Sequence, residues 1–200
     1  MDGYQLTIVL VAVVIGSVSK AVTGMGLPVI VIPVAALFVD IEDAVVIIAL
    51  PNLLANGVLA IRERAHLPDT RNLGALAISG VIGAVFGTLL FVNVPDEPIV
   101  VALIVAIAVY ITMFFLKPDL RTSMEQSHRW SPAVGALAGT FQGAIGISGP
   151  IVGSWIHSFR LSRGAHILSV TTLFFFSGFA QFGVLAANGE LSGRVVATLL

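Results

Sequence analysis

The chain has 200 residues, 57% of them hydrophobic, only 10% charged, with a formal net charge of −1 and no cysteine. A soluble domain carries roughly 25% charged residues, and the mean hydropathy here is +1.02, so no stretch is left for a separate water-soluble domain. Without cysteine there is no disulfide framework and no thiolate metal site, and no Walker sequence, metal-ligand cluster or nucleic-acid-binding patch points to a cofactor or to nucleic acid.

The apolar residues come in runs of about 18–22, long enough to cross a hydrocarbon core of about 30 Å as helices. The fold class this predicts is all-α, a polytopic transmembrane helical bundle forming one domain over 1–200. The opening MDGYQLTIVLVAVVIG lacks the basic start and small-residue cleavage site of a signal peptide. It reads as the start of the first membrane segment, over 4–23. That segment breaks at 24–28, GMGLP, and resumes over 29–39, closed by Asp40, Glu42 and Asp43. Further helices are expected over 44–61, 73–94 and 99–116, joined by the loop RERAHLPDTRN and the turn PDEP. After the loop KPDLRTSMEQSHRW, a second broken segment is expected over 132–159, interrupted at GISGP. A helix over 167–187 follows, and then 194–200, a stretch too short to span a bilayer, which reads as a repeat cut short.

Basic residues set the orientation. Arg62, Arg64 and Arg71, then Lys117, Arg121 and Arg129, then Arg160 and Arg163 mark three cytoplasmic loops. The N-terminus, the turn at 40–43 and PDEP carry neither Lys nor Arg and fall outside. Each broken segment then starts and ends on one side, the first outside and the second inside, so both are expected to be re-entrant-like hairpins.

The two breaks also align with each other. At an offset of 122, KAVTGMGLPVIV (20–31) lies over QGAIGISGPIVG (142–153), with Lys20 on Gln142, Gly24 on Gly146 and Pro28 on Pro150. Two similar halves entering from opposite faces make an inverted-topology repeat, with half one at about 4–94, a linking helix at 99–116 and half two at about 131–200. Discontinuous helices at corresponding places in such halves mark the binding site of a secondary transporter.

The candidate site residues follow from this. Glycine permits the turn and proline suits the first turn of the next helix, so Gly24, Gly26 and Pro28, then Gly146, Gly149 and Pro150, are expected to present two helix N-termini to an anion. Gly16, Gly135 and Gly139 read instead as close-packing positions. Lys20 is the only basic residue within an expected membrane segment, where insertion costs roughly 2.5–3.5 kcal/mol. No acidic residue is expected at that depth, so it either meets an anionic substrate or snorkels to the interface. Gln142 and Ser148 could donate to substrate oxygens, while Asn52 and Asn56, one turn apart, line a polar path or bond between helices. Ser177 and Gln181 are the comparable pair of the second half. Trp155 and His157 read as interface residues. Two other readings stand beside the carrier: a passive anion channel, and an intramembrane serine protease, because GISG around Ser148 matches a G-x-S-G nucleophile motif and His166 follows.

KAVTGMGLPVIVIP, its echo GTFQGAIGISGPIVGSW, and the loop and helix IRERAHLPDTRNLGALAISGVIGAVFGTLL together resemble the TauE/SafE family, also called the 4-toluene sulfonate uptake permeases. Family members carry a denser glycine run, near G-x-G-G-G, where this chain has TGMGLP. The resemblance implies a multi-pass inner-membrane permease that moves small anions such as sulfite or organosulfonates without ATP hydrolysis. The coupling ion, the direction of transport and self-association into a homo-oligomer are left open.

Overall fold

The computed structural model describes residues 3–116 and 121–189. They form eight α-helices: α1 (Gly3–Thr23), α2 (Leu27–Ala35), α3 (Ile41–Arg62), α4 (Leu73–Asn93), α5 (Asp96–Leu116), α6 (Met124–Ile145), α7 (Gly149–His157) and α8 (Arg163–Ala187). There is no strand among the described residues. Among the described residues, four segments are long and apolar enough to cross a membrane: Gly3–Thr23, Asp43–Arg62, Leu73–Asn93 and Arg163–Ala187. Lys117 and the stretch 194–200 lie outside the described residues.

The chain leaves α1 through Gly24 and Gly26, whose φ values of 80° and 117° only glycine adopts without strain. The Gly24 N–H closes α1 on the Lys20 carbonyl at 2.8 Å. At Gly26 the space is also closed, because a Cβ there would strike the Ser19 side chain. The chain therefore reverses, and the start of α2 lies against α1: a Cβ on Gly16 would sit 3.1 Å from the Leu27 Cα. Gly16 is thus a packing glycine. The second reversal has the same form. The Gly146 N–H bonds the Gln142 carbonyl at 2.9 Å, with Gly146 at φ 70°. α7 then runs back along α6, so that Trp155 Nε1 donates to Ser131 Oγ at 3.3 Å, and Thr122 N–H to the Ser158 carbonyl at 3.2 Å. Helix boundaries recur 122 residues apart: Thr23 and Ile145, Leu27 and Gly149, Ala35 and His157, Ile41 and Arg163.

Several boundaries differ from the sequence reading. α6 begins at Met124, eight residues before the expected 132. Ser123 and Gln126 form a capping box, with Gln126 N–H donating to Ser123 Oγ at 3.2 Å and Ser123 N–H to Gln126 Oε1 at 3.1 Å. That reciprocal cap starts the helix in the polar stretch before the apolar run begins. α8 begins at Arg163 rather than 167, capped by Ser162 Oγ, which accepts from Ala165 N–H at 3.3 Å. The loop before α4 contains a 3₁₀ turn, Arg64–Asp69.

α4 and α6 make the closest helix contact, and small residues permit it. A Cβ at Gly83 would fall on the Ala136 carbonyl and one at Gly87 on that of Thr140, while from the other side one at Gly139 would fall on the Gly80 carbonyl. Gly135 meets the Ser79 hydroxyl and the Leu76 carbonyl in the same seam. α8 crosses this pair, and Gln181 Nε2 donates to the Gly143 carbonyl at 3.3 Å. One apolar cluster joins α2, α3 and α5, including Ile32, Val45 and Leu103. A second joins α7 and α8 through Ile156, Val170 and Leu173. The two reversals come together between these clusters.

Candidate functional site

Lys20 stands in the last turn of α1 and is 2% exposed. Its side chain turns inward rather than snorkelling. Nζ donates to Asn52 Oδ1 at 2.9 Å and to Asn56 Oδ1 at 2.6 Å, both on α3, and lies 5.8 Å from the Phe174 ring centroid on α8. An ammonium only donates, so both amides must turn their oxygens toward it. Hydrogen bonds to a charged group contribute about 1.5–3 kcal/mol each, so two of them offset much of the cost of taking the lysine out of water. They leave the charge itself uncompensated. The Arg62–Glu63 ion pair and the contacts of His66 with Glu63 and Asp69 lie away from Lys20. The cluster also has donors to spare: the third ammonium proton and the buried Asn56 Nδ2, which has no hydrogen-bond partner.

Across from Lys20 stands the second reversal. Ser148 Oγ donates to Gln142 Oε1 at 3.1 Å, with both side chains buried. That bond occupies the N-cap hydroxyl of α7, and the N-cap of α2 is Gly26, so neither helix receives a side-chain cap. Pro28 and Pro150 carry no N–H, and Ile151 N–H donates to the Ser148 carbonyl at 3.1 Å, so it is chiefly the positive end of each helix dipole that favours negative charge here.

The residues converge on one cavity of about 10 Å³, room for a single water molecule. Its wall contains four pairs of positions 122 apart: Lys20 with Gln142, Met25 with Ile147, Gly26 with Ser148, and Asn52 with Phe174. Pro28, Gly146 and Gly149 also line it. Three further candidates lie beside it. Gly24 packs against Ile167, Val170 and Thr171 of α8. Asn56 reaches the cluster only through Lys20. Pro150 faces a separate apolar cavity. Phe174, Met25 and Ile147 were not picked out from the sequence. Phe174 is one apolar residue among many, and only its position 122 after Asn52 sets it apart.

The remaining polar residues do other things. Gln181 ties α8 to α6. Ser177 Oγ is buried, has no hydrogen-bond partner, and faces Gly80 of α4. Trp155 bonds Ser131 and stacks edge-on to Phe159 with ring centroids 5.3 Å apart. His157 and His166 face each other at 6.5 Å between centroids. The hydrogen bond of Ser148 goes to Gln142 rather than to a histidine, so the Ser–His pairing that a protease needs is not made here.

These features describe an all-helical chain with four helices apolar enough to cross a membrane and a buried lysine among amide side chains where two chain reversals meet. Residues 8–200 match the model of the family described as sulfite exporter TauE/SafE, and the chain belongs to that family. It is therefore a membrane permease of a transporter family. No curated protein and no solved structure gives a match.

Proposed function

We propose that this chain is a secondary transporter of small anions of the sulfite or organosulfonate type, and that Lys20 with the two reversals forms its substrate site. The observation that carries this reading is the buried Lys20 ammonium, held by two amide oxygens, lacking an acidic partner among the described residues and flanked by spare donors. A chain that only needed helix contacts would gain nothing from a charge there. An oxyanion supplies both the countercharge and the missing acceptors. The helix N-termini of α2 and α7 add positive dipole ends from two further directions, the arrangement that broken helices offer to anionic substrates in transporters.

The alternating-access part of the reading rests on the internal repeat. An inverted repeat relates its halves by a pseudo-two-fold axis, so a contact between residue i and the partner of j should reappear between j and the partner of i. A Cβ on Gly24 lies near Ile167, and one on Gly146 near Val45; both pairs exchange at an offset of 122. The four paired positions in the cavity wall and the recurring helix boundaries fit the same axis. A space for one water is too small for an oxyanion with several heavy atoms, so the halves must part to admit substrate. The N-terminus and the turn at 40–43 are assigned outside, the arginine-bearing loops to the cytoplasm, and the membrane to the inner membrane of the cell. Counterflow tests the carrier reading. Proteoliposomes preloaded with sulfite should accumulate labelled sulfite transiently and saturably. Uptake that is linear in concentration, with no counterflow, would make the protein a channel.

A further inference from the structure

The two ends of the bundle are closed by corresponding residues of opposite character. On the side assigned outside, α2 ends at Ala35 and α3 begins at Ile41, and Ala35, Ile41 and Ala44 are all buried in one apolar cluster. On the side assigned to the cytoplasm, the positions 122 later are His157, Arg163 and His166. His157 closes α7 and is exposed, while His166 stands in the first turn of α8 and is half-buried. Their rings meet edge-on, with centroids 6.5 Å apart. Arg163 Nη2 donates to the Val22 carbonyl in the last turn of α1 at 3.4 Å, whereas the corresponding residues, Ile41 and Ala144, share the apolar cluster. Dry apolar contact thus holds one end, and two imidazoles with one long hydrogen bond hold the other. From His166, Val170 and Phe174 follow at four-residue spacing along α8. Val170 packs against Gly24 of the first break, and Phe174 lines the Lys20 site.

Other charged and titratable groups on the elements packed here have contacts of their own. His66, lying against Gly164, stands 3.8 Å from Glu63 and 3.7 Å from Asp69. Arg71 covers the Phe159 ring at 5.3 Å, His128 reaches Asn72 at 3.3 Å, and Arg129 lies 5.7 Å from the Trp130 ring. Arg160, between α7 and α8, adds positive charge. Histidine is the side chain whose ordinary charge change falls within about pH 5–8.

We propose that His157 and His166 form a proton-operated gate at the cytoplasmic end of the transporter. With both rings neutral, α7 and α8 stay packed and the site is shut inward. With both protonated, like charges repel across the α7–α8 seam beside Arg160 and Arg163. The start of α8 then leaves the end of α1, and the site opens to the cytoplasm. The outer end, closed by two alanines and an isoleucine, has no such response. This rests on the carrier reading and the sidedness proposed above.

The chain has no cysteine, so Val170→Cys and its counterpart Ile48→Cys, both at buried positions, report the two ends separately. In purified protein in detergent, both ends meet a charged maleimide. Thiols react faster at higher pH in any fold, so each rate is divided by that of the same cysteine in a His157→Ala/His166→Ala background at the same pH. Two unit charges 6.5 Å apart shift an equilibrium about threefold in water and about seventyfold at an effective dielectric constant of about 20. Between about pH 8 and about pH 5.5, the ratio should therefore rise about tenfold for Val170→Cys and stay level for Ile48→Cys. His157→Gln/His166→Gln should behave as the alanine pair does, which separates lost charge from lost volume. A level ratio at Val170→Cys, an equal rise at Ile48→Cys, or a response that survives in the glutamine pair overturns the gate. Labelling needs no transport, so the carrier is judged apart. Sulfite exchange without the labelling response keeps the carrier and removes the gate; the response without exchange keeps the gate and removes sulfite as substrate.

Discussion

The two helix breaks share their helix boundaries and their first glycine turn, but differ in chemistry and at one backbone position, where Gly26 has φ 117° and Ser148 has φ −132°. In both, a left-handed glycine donates to the carbonyl four residues earlier, the next helix starts four residues after the last one ends, and a proline occupies its first turn. At corresponding places, however, the first break and its following helix carry Lys20, Gly26 and Asn52, whereas the second carries Gln142, Ser148 and Phe174. The helix boundaries are duplicated and the charge is not. The polar groups that balance Lys20 come from α3, in its own half, while the second half contributes an amide, a hydroxyl and an aromatic face. On the proposed function, such a site would hold one anion between a charged wall and a neutral one, and would release it by moving the neutral wall away.

The largest expected effect comes from treating the breaks as interchangeable. Gly26→Ser places a side chain at φ 117° and against Ser19. The backbone conformation alone costs about 1–3 kcal/mol, so folded yield and thermal stability in detergent should fall sharply. The converse change, Ser148→Gly, loses a single hydrogen bond worth about 0.5–1.5 kcal/mol and should leave the protein folded. Equal damage from the two would mean that the breaks are not distinguished by their backbone. Next in size is the charge. Lys20→Gln should lower exchange by about tenfold to a hundredfold, from the loss of a charge-assisted contact of about 1.5–3 kcal/mol, with stability maintained. Gln142→Lys, which sets two ammonium groups in one cavity, should lower both exchange and stability. Asn56→Leu removes one of the two acceptors that hold Lys20, and chemical denaturation in detergent should register a loss of about 1.5–3 kcal/mol. Smallest of all, Phe174→Leu takes away a ring 5.8 Å from Nζ, and a cation–π contact of about 0.5–1 kcal/mol predicts a twofold to fivefold change in substrate affinity.

Much of this was legible in the sequence, for a physical reason. Glycine and proline punctuate a helix wherever they fall together in an apolar run, so GMGLP and GISGP could be read as breaks, and a lysine at that depth stands out by its cost. Asn52 and Asn56 share a helix face by spacing alone, although that Lys20 is what they share depends on how α1 packs on α3. The start of α6 was hidden differently. Glu125, His128 and Arg129 resemble a charged loop, and the capping signature Ser123-x-x-Gln126 within it is short. Phe174 and the apolar cavity beside Ile147 could not be read at all, because an apolar residue on an apolar helix carries no mark of what it faces. The α4–α6 seam was legible only in part. Gly135 and Gly139 could be assigned to packing, but their partners, Leu76 and Ser79 for the first and Gly80 for the second, emerge from the fold.

The central claim is that the Lys20 ammonium binds the transported anion. Equilibrium binding of labelled sulfite to the purified, folded chain tests it most directly, comparing wild type with Lys20→Gln at matched protein concentration. One saturable site in the wild type, weakened at least about tenfold by the substitution, is the predicted result. Binding of equal strength in the two proteins would contradict the account and return Lys20 to a purely structural role between α1 and α3.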